Sequence, residues 1–249
     1  MKFTFLDALL DKSTALLAAG HDAVCIFVND VCDEAVLQKL SALGIVREVY
    51  CSERPRFTSS LTLIIVIFQK YVALRCAGYN NVDLNAAAQL GIKVARVPSY
   101  SPEAVAEFTV GMILTVVRKY HKAYNRVREG NFLLGGLMGF NLSGKTVGIV
   151  GTGQIGLLTG KILSKGFGCT VIAYDPYRND AAKEHGIVYV DALEELLARS
   201  DIISLHCPLN KDTGYLINDN TLSLTKKGVI LINTSRGGLI DTYALIRYV

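Results

Sequence analysis

Gly151, Gly153 and Gly156 stand in the run Gly151-Thr152-Gly153-Gln154-Ile155-Gly156, and Asp175 follows nineteen residues after the last of them. A G-x-G-x-x-G run alone says little. Here the apolar stretch TVGIV at 146–150 leads straight into it, and a helical pattern follows at Leu157–Ser164. Strand, glycine loop, helix and acid in that order suit the binding of a dinucleotide. The first glycine permits a tight turn, the second lets the backbone approach a pyrophosphate, and the third lets helix pack closely on strand. The helix N-terminus turns N–H groups and the positive end of its dipole toward the phosphates. Asp175 ends the second strand, VIAYD, where a carboxylate accepts hydrogen bonds from ribose hydroxyls and repels a 2′-phosphate. NAD is therefore favoured over NADP.

Such a site lies at the carboxyl ends of an open parallel sheet, so later strands must supply further contacts from their ends. Two such ends are readable: His206-Cys207-Pro208 after Ile202–His206, and Asn233-Thr234-Ser235-Arg236-Gly237 after Val229–Asn233. With Thr146–Val150, Thr170–Tyr174 and Val188–Val190, these make one βα series. An earlier series has strands expected at Phe3–Leu6, Ala23–Val28, Tyr71–Arg75 and Lys93–Val97. Its helices are expected near Lys12–Ala19, Asp33–Leu43 and Asn85–Leu90, with Asp33 and Asp83 as N-caps and Gly44 and Gly91 as terminators. One long amphipathic helix is expected from Pro102 to Arg128, with Gly130 beyond its end. The break near Pro98 gives two doubly wound α/β domains, 1–98 and 99–249. The first is expected to be flavodoxin-like and the second a Rossmann domain.

Residues 46–69 (VREVYCSERPRFTSSLTLIIVIFQ) stand apart, because a turn of a few residues would join the helix before them to the strand after them. The run at 61–68 is too short to cross a membrane. One reading is an extra strand; the favoured one is a translated intron. Val-Arg can be encoded GTAAGA, a splice donor, and Phe-Gln TTTCAG, an acceptor. Removal of the 24 residues joins Ile45 to Lys70 in frame, giving LGIKYVALRCAGYN.

Composition excludes several classes. The chain is 51% hydrophobic and 19% charged with a net charge of +4, and no basic block suggests nucleic acid. The six cysteines form no CxxC pair and no metal-ligand spacing with histidine, so no metal is expected and a reducing, cytoplasmic location fits. Asp7 and Asp11 interrupt the short apolar run at the N-terminus, which argues against a signal peptide.

Taken together, RCAGYNNVD (75–83), VPSYSPEAVAEF (97–108), GTGQIG, AYDPY, SLHCPL and INTSRGG resemble the D-isomer-specific 2-hydroxyacid dehydrogenases, in the subgroup of the D-lactate type. The resemblance implies hydride transfer between NADH and a small 2-keto acid, with pyruvate and D-lactate as the expected pair. A 2-keto acid brings a carboxylate beside the reacting carbonyl, which calls for a fixed cation with forked donors. Arg236 matches the family's substrate-binding arginine; without that match, a lone arginine after a strand would be read as a surface residue. Ala77 and Gly78 match the loop whose N–H groups bind the carboxylate, and Tyr100 matches a pocket residue. Gln154, Ile155, Asp175, Cys207, Pro208, Thr213, Thr234 and Ser235 match cofactor-contacting positions. The long helix resembles the family's dimerisation element, so a homodimer through the cofactor domain is expected. The same fold also serves non-enzymatic NAD-binding regulators, and an inactive fragment is a third reading.

The family's acid/base histidine and its partner glutamate are expected beyond the Arg236 strand, past Val249. The first strand and helix of the family are expected upstream of residue 1. The final Arg-Tyr-Val can be encoded with a splice donor, GTATGT, so the end at Val249 is read as sharing the cause of the 46–69 segment. The four histidines, His21, His121, His185 and His206, do not replace the missing one. His21 and His185 lie beside glycines, His121 is on the long helix, and His206 ends a strand as a structural or cofactor-proximal group.

Overall fold

The computed structural model describes residues 11–19, 24–26, 32–42, 48–51, 71–74, 77–79, 82–91, 93–99 and 101–249. The chain divides into two units, Met1–Tyr100 and Ser101–Val249.

In the first unit, four parallel strands pair in the order β1 (Val24–Ile26), β2 (Glu48–Cys51), β3 (Tyr71–Leu74) and β4 (Lys93–Arg96). Among the described residues the strands therefore pair in sequential order, with β2 placed between β1 and β3. β2 comes from the segment that sequence patterning set apart. Its Val-Tyr-Cys run has the β-branched and aromatic content of a strand, and Val49 lies level with Val24 on one side and Val72 on the other. The expected strand at Phe3–Leu6 lies outside the described residues, as do Gly44, Arg75 and residues 52–70.

Helices α1 (Glu34–Ala42) and α2 (Leu84–Gln89) start where their aspartates indicated. Asp33 Oδ1 accepts from Val36 N at 2.9 Å, and Asp83 Oδ1 accepts from Asn85 N and Ala86 N at 3.0 Å each. Gly91, at φ +66°, ends α2. The helix expected at Lys12–Ala19 is instead a short 3₁₀ turn, Ala15–Ala18. Asp11 Oδ1 accepts from Ser13 N, Ser13 Oγ and Thr14 N (2.7, 2.6 and 3.0 Å), so local side-chain bonds compete with a full helical turn there.

The second unit opens with α3 (Pro102–Arg118) and α4 (Tyr120–Arg128). The sequence pattern reads these as one helix, but Lys119 sits left-handed between them (φ 54°, ψ 36°). Its Nζ donates to Gly136 O at 3.0 Å, and a Cβ on Gly139 would collide with the carbonyl oxygen of Val117. The returning 130s segment thus packs on the junction, a tertiary cause with no local breaker residue. The burial pattern changes at the same place. Ala106, Val110, Ile113 and Val117 are buried along α3, whereas no residue of α4 is.

Five parallel strands follow: β5 (Thr146–Val150), β6 (Thr170–Tyr174), β7 (Ile187–Tyr189), β8 (Ile202–Leu205) and β9 (Ile230–Asn233), in the order β7-β6-β5-β8-β9. Each lies within a residue of its sequence-based limits. Between them run α5 (Gln154–Lys161), α6 (Ala181–Glu184), α7 (Leu193–Arg199) and α8 (Asp219–Ser223), and α9 (Thr242–Tyr248) follows β9. The sheet is buried on both faces, as its continuous apolar strands require. Val147, Ile149, Val171, Ile202 and Ile232 face one core with α3 and α5. Val150, Ile172, Ile203 and Leu205 face the other with α7. Each fully buried Ile or Leu contributes about 1.5–3 kcal/mol. Gly148 lets α7 close on β5, because a Cβ there would meet Leu196 Cδ2 at 2.5 Å. β5 is central, with chain order reversing on its two sides, which makes the carboxyl ends of β5 and β8 the switch-point crevice.

Candidate functional site

At the end of β5 the chain turns through Gly151 at φ +96°. Gly151 N–H donates to Tyr174 O at 3.0 Å, tying the loop to the end of β6. A Cβ on Gly151 would meet Cys207 N at 2.7 Å and His206 C at 2.8 Å, so the loop also lies tightly on the end of β8. Gly153 caps α5, and a Cβ there would enter open space, with nothing within 4 Å. Gly156 has no such room: its Cβ would overlap the carbonyl oxygen of Gly151. The helix therefore begins at Gln154, three residues before the sequence-based start, because Gly156 belongs inside it as the contact between helix and strand.

The opening turn of α5 presents N–H groups that have no acceptor within a helix, above a glycine with open space over it. Asp175, half-buried at the end of β6, completes the arrangement. Its Oδ2 accepts from Thr152 N at 2.7 Å and Thr152 Oγ1 at 3.0 Å, and its Oδ1 accepts from Tyr177 N at 2.8 Å. These residues fit a dinucleotide: an open anion cradle on a helix N-terminus and an oriented carboxylate one strand away.

Three further predicted groups lie on the loop after β8. His206 Nε2 is 2.9 Å from Ser204 Oγ, and Ser204 is buried on β8. Burial pushes the imidazole down to about 4, so it is neutral at pH 7. Burial, and secondarily the Asp175 charge, push the Cys207 thiol up. Thr213 Oγ1 donates to Pro208 O at 2.6 Å and accepts from Asn210 N at 2.8 Å, which closes the loop on itself.

The loop after β9 carries Thr234, Ser235 and Arg236, and it is braced from three sides. Asn233 Oδ1 accepts from Ser235 N (2.9 Å) while its Nδ2 donates to Arg236 O (2.8 Å). Ser235 Oγ donates to Leu205 O on β8 at 3.0 Å. Thr109 of α3 is fully buried and donates its hydroxyl proton to Val105 O (2.8 Å), so at 2.9 Å it accepts from Thr234 Oγ1. Arg236 itself is exposed and donates from Nη1 to Ser235 O at 3.1 Å.

The second unit thus gathers all twelve of its predicted positions at one end of the sheet. Ala77 and Gly78 lie in the first unit just after β3, where Arg96 Nη1 donates to Ala77 O at 2.7 Å and the guanidinium stacks 5.2 Å from the Tyr79 ring centre. Tyr100 lies outside the described residues. Sequence reasoning missed Thr152, Tyr189 and Thr109. Thr152 occupies a variable place in the glycine motif, and the other two show no linear signal, since only packing brings them to the loops. Among the described residues there is no group of metal-ligating side chains, and no helix is long and apolar enough to cross a membrane.

Comparison with known proteins follows the same outline. The family profile for "D-isomer specific 2-hydroxyacid dehydrogenase, NAD binding domain" matches residues 110–249. D-lactate dehydrogenase kk1H of Curvularia clavata is 50% identical over 247 residues, covering 99% of this chain and 63% of the relative. D-lactate dehydrogenase of Escherichia coli is 48% identical over 242 residues, covering 97% and 66%. The apo structure of the E. coli enzyme matches with a TM-score of 0.80 over 98% of this chain and 69% of that one. The D-lactate dehydrogenase of Aquifex aeolicus complexed with NAD and lactic acid, 35% identical, matches with a TM-score of 0.73 over 94% and 62%. The chain spans 63–66% of the length of these curated relatives.

Proposed function

The chain belongs to the D-isomer-specific 2-hydroxyacid dehydrogenase family, and from that premise we propose that it is an NAD-dependent oxidoreductase of the D-lactate dehydrogenase type. Its substrate is a small 2-keto or 2-hydroxy acid, with pyruvate and D-lactate as the pair. The observation that carries this reading is the bracing of the Arg236 loop, at the end of β9, to β8 and α3. An arginine whose backbone is held at that place can present its forked donors to a carboxylate.

NAD, when bound, supplies the hydride donor or acceptor. The chain's own residues divide the remaining work. The Gly151–Gly156 backbone, with Gln154 and Ile155, holds the pyrophosphate, and Asp175 takes the adenosine ribose. Cys207, Pro208, Thr213, Thr234 and Ser235 line the loops beside it. By the family resemblance the substrate carboxylate is assigned to Arg236 in the second unit and to the backbone of Ala77 and Gly78 in the first, with Tyr100 as a further substrate-binding residue. The units Met1–Tyr100 and Ser101–Val249 are then the substrate-binding and cofactor domains.

His206 is unsuited to move the reaction's proton. It is neutral at pH 7 with a pKa of about 4 and already bonded to Ser204. His121 lies on α4 and His185 at the end of α6, away from the strand ends that carry the site. A cytosolic location accords with the free thiols of Cys32, Cys169 and Cys207.

The test is a binding experiment. NADH should saturate the chain, and pyruvate should tighten NADH binding. Arg236→Gln should abolish the pyruvate effect, a loss on the order of ten- to hundredfold in pyruvate affinity, while leaving NADH affinity near the wild type. Equal pyruvate coupling in wild type and variant would sink the role of Arg236, and absence of NADH binding would sink the whole assignment.

A further inference from the structure

Beyond the last ladder pair of β9, Asn233 with Leu205, two side chains of the Arg236 loop reach other elements. Ser235 Oγ donates to Leu205 O on the neighbouring strand at 3.0 Å. Thr234 Oγ1 lies 2.9 Å from Thr109 Oγ1 on α3, in the helix layer over the sheet. The bonds of the Asn233 amide to Ser235 N and Arg236 O fix the shape of the turn, but through rotatable side-chain bonds that let it tilt as a unit. A turn tied to one neighbour can pivot about that tie, whereas ties to a strand and to the helix layer remove the pivot. Thr109 is suited to be the fixed end. It is fully buried, and its neighbours Val110 and Ile113 share one core with Ile232 of β9. Its own proton goes to Val105 O at 2.8 Å, so the burial of its hydroxyl is already compensated within α3. The bond from Thr234 is not needed to satisfy Thr109; it serves the loop.

We propose that Thr109 is a positioning residue for the substrate: it holds Thr234 against α3 and so sets the direction from which Arg236, two residues further on, meets the carboxylate. The inference deepens the proposed function and rests on its assignment of the substrate carboxylate to Arg236. A forked pair of bonds demands the plane of the guanidinium as well as its place. A tilt of the turn must then be offset by turning the long arginine side chain out of its preferred rotamers, which weakens the carboxylate bond. The glycine cradle and Asp175 stand on the loops after β5 and β6. Loss of the Thr109 acceptor is therefore felt first by the substrate and much less by the cofactor, which meets this turn only at Thr234 and Ser235.

The test is calorimetric titration of the purified chain with NADH, and of its NADH complex with pyruvate. Thr109→Val keeps the shape of the side chain and removes the acceptor. Pyruvate affinity should fall about fivefold, and NADH affinity by less than about twofold. Thr109→Ser keeps the hydroxyl and should leave both at the wild-type values. In a Thr234→Val background the donor is already gone, so Thr109→Val should cost pyruvate nothing further. If Thr109→Val does not melt cooperatively, Thr234→Val alone deletes the same bond from the half-buried loop and should show the same selective loss. Unchanged pyruvate affinity, equal losses of NADH and pyruvate, a Thr109→Ser variant as weak as Thr109→Val, or additive losses in the double variant would each overturn the positioning role. A wild type that binds NADH without any response to pyruvate would instead overturn the assignment of Arg236, and the inference with it.

Discussion

At the scale of single residues, His206 stands at the end of β8 with its Nε2 2.9 Å from Ser204 Oγ. Its imidazole has a pKa near 4 because burial disfavours the charged form. An ordinary imidazole titrates near 6.5. Between those values the unfolded chain binds a proton that the folded chain does not. Stability is therefore full above pH 6.5, falls as pH drops toward 4, and stops falling for this reason below it. The loss across the window is about 3 kcal/mol. Urea unfolding followed at stepped pH should show that slope, and His206→Asn should flatten it; identical slopes would mean that the imidazole titrates normally.

At the scale of elements, two places departed from the linear pattern for reasons that lie outside it. The helix pattern through Lys119 is unbroken in composition, yet the 130s segment captures the Lys119 ammonium at Gly136 O and sets the junction. β2 sits between β1 and β3, but Val24, Val49 and Val72 are level across the three strands. If 46–69 is excised, β1 and β3 can pair directly in the same parallel register, and a long connection no longer has to be closed. A variant joining Ile45 to Lys70 is therefore expected to melt at a higher temperature than the chain as it stands, by a few degrees (roughly 1 kcal/mol). A lower melting temperature would make β2 an integral strand. The codons for 46, 69 and 249 in genomic DNA test the splice reading itself.

At the scale of the whole molecule, α3 leaves Phe108, Met112 and Val116 exposed at every fourth position, Tyr120 and Tyr124 are exposed on α4, and Phe132 to Leu134 are exposed beyond it. We propose that this exposed apolar surface receives a second copy of the same chain. Replacing Phe108 and Tyr124 by Glu should shift a dimer to monomer in sedimentation velocity, with NADH binding retained; an unchanged mass would refute the interface, as would a wild type that is already monomeric. Arg236 was singled out only through the family resemblance, whereas sequence pattern alone determined the glycine loop, the place of Asp175 at a strand end and the parallel βα order. These are written in short-range spacing and hydrophobic period, which survive without knowledge of any neighbour. Asp33 and Asp83 were legible as caps for the same reason: their partners lie two or three residues away. Only tertiary structure decided the break at Lys119, the bracing of Thr234 by Thr109, and the chain from Asn179 through Tyr189 and Thr152 to Asp175. In each of these a bond joins residues far apart in sequence, and its energy depends on where other strands and loops have already placed the two ends.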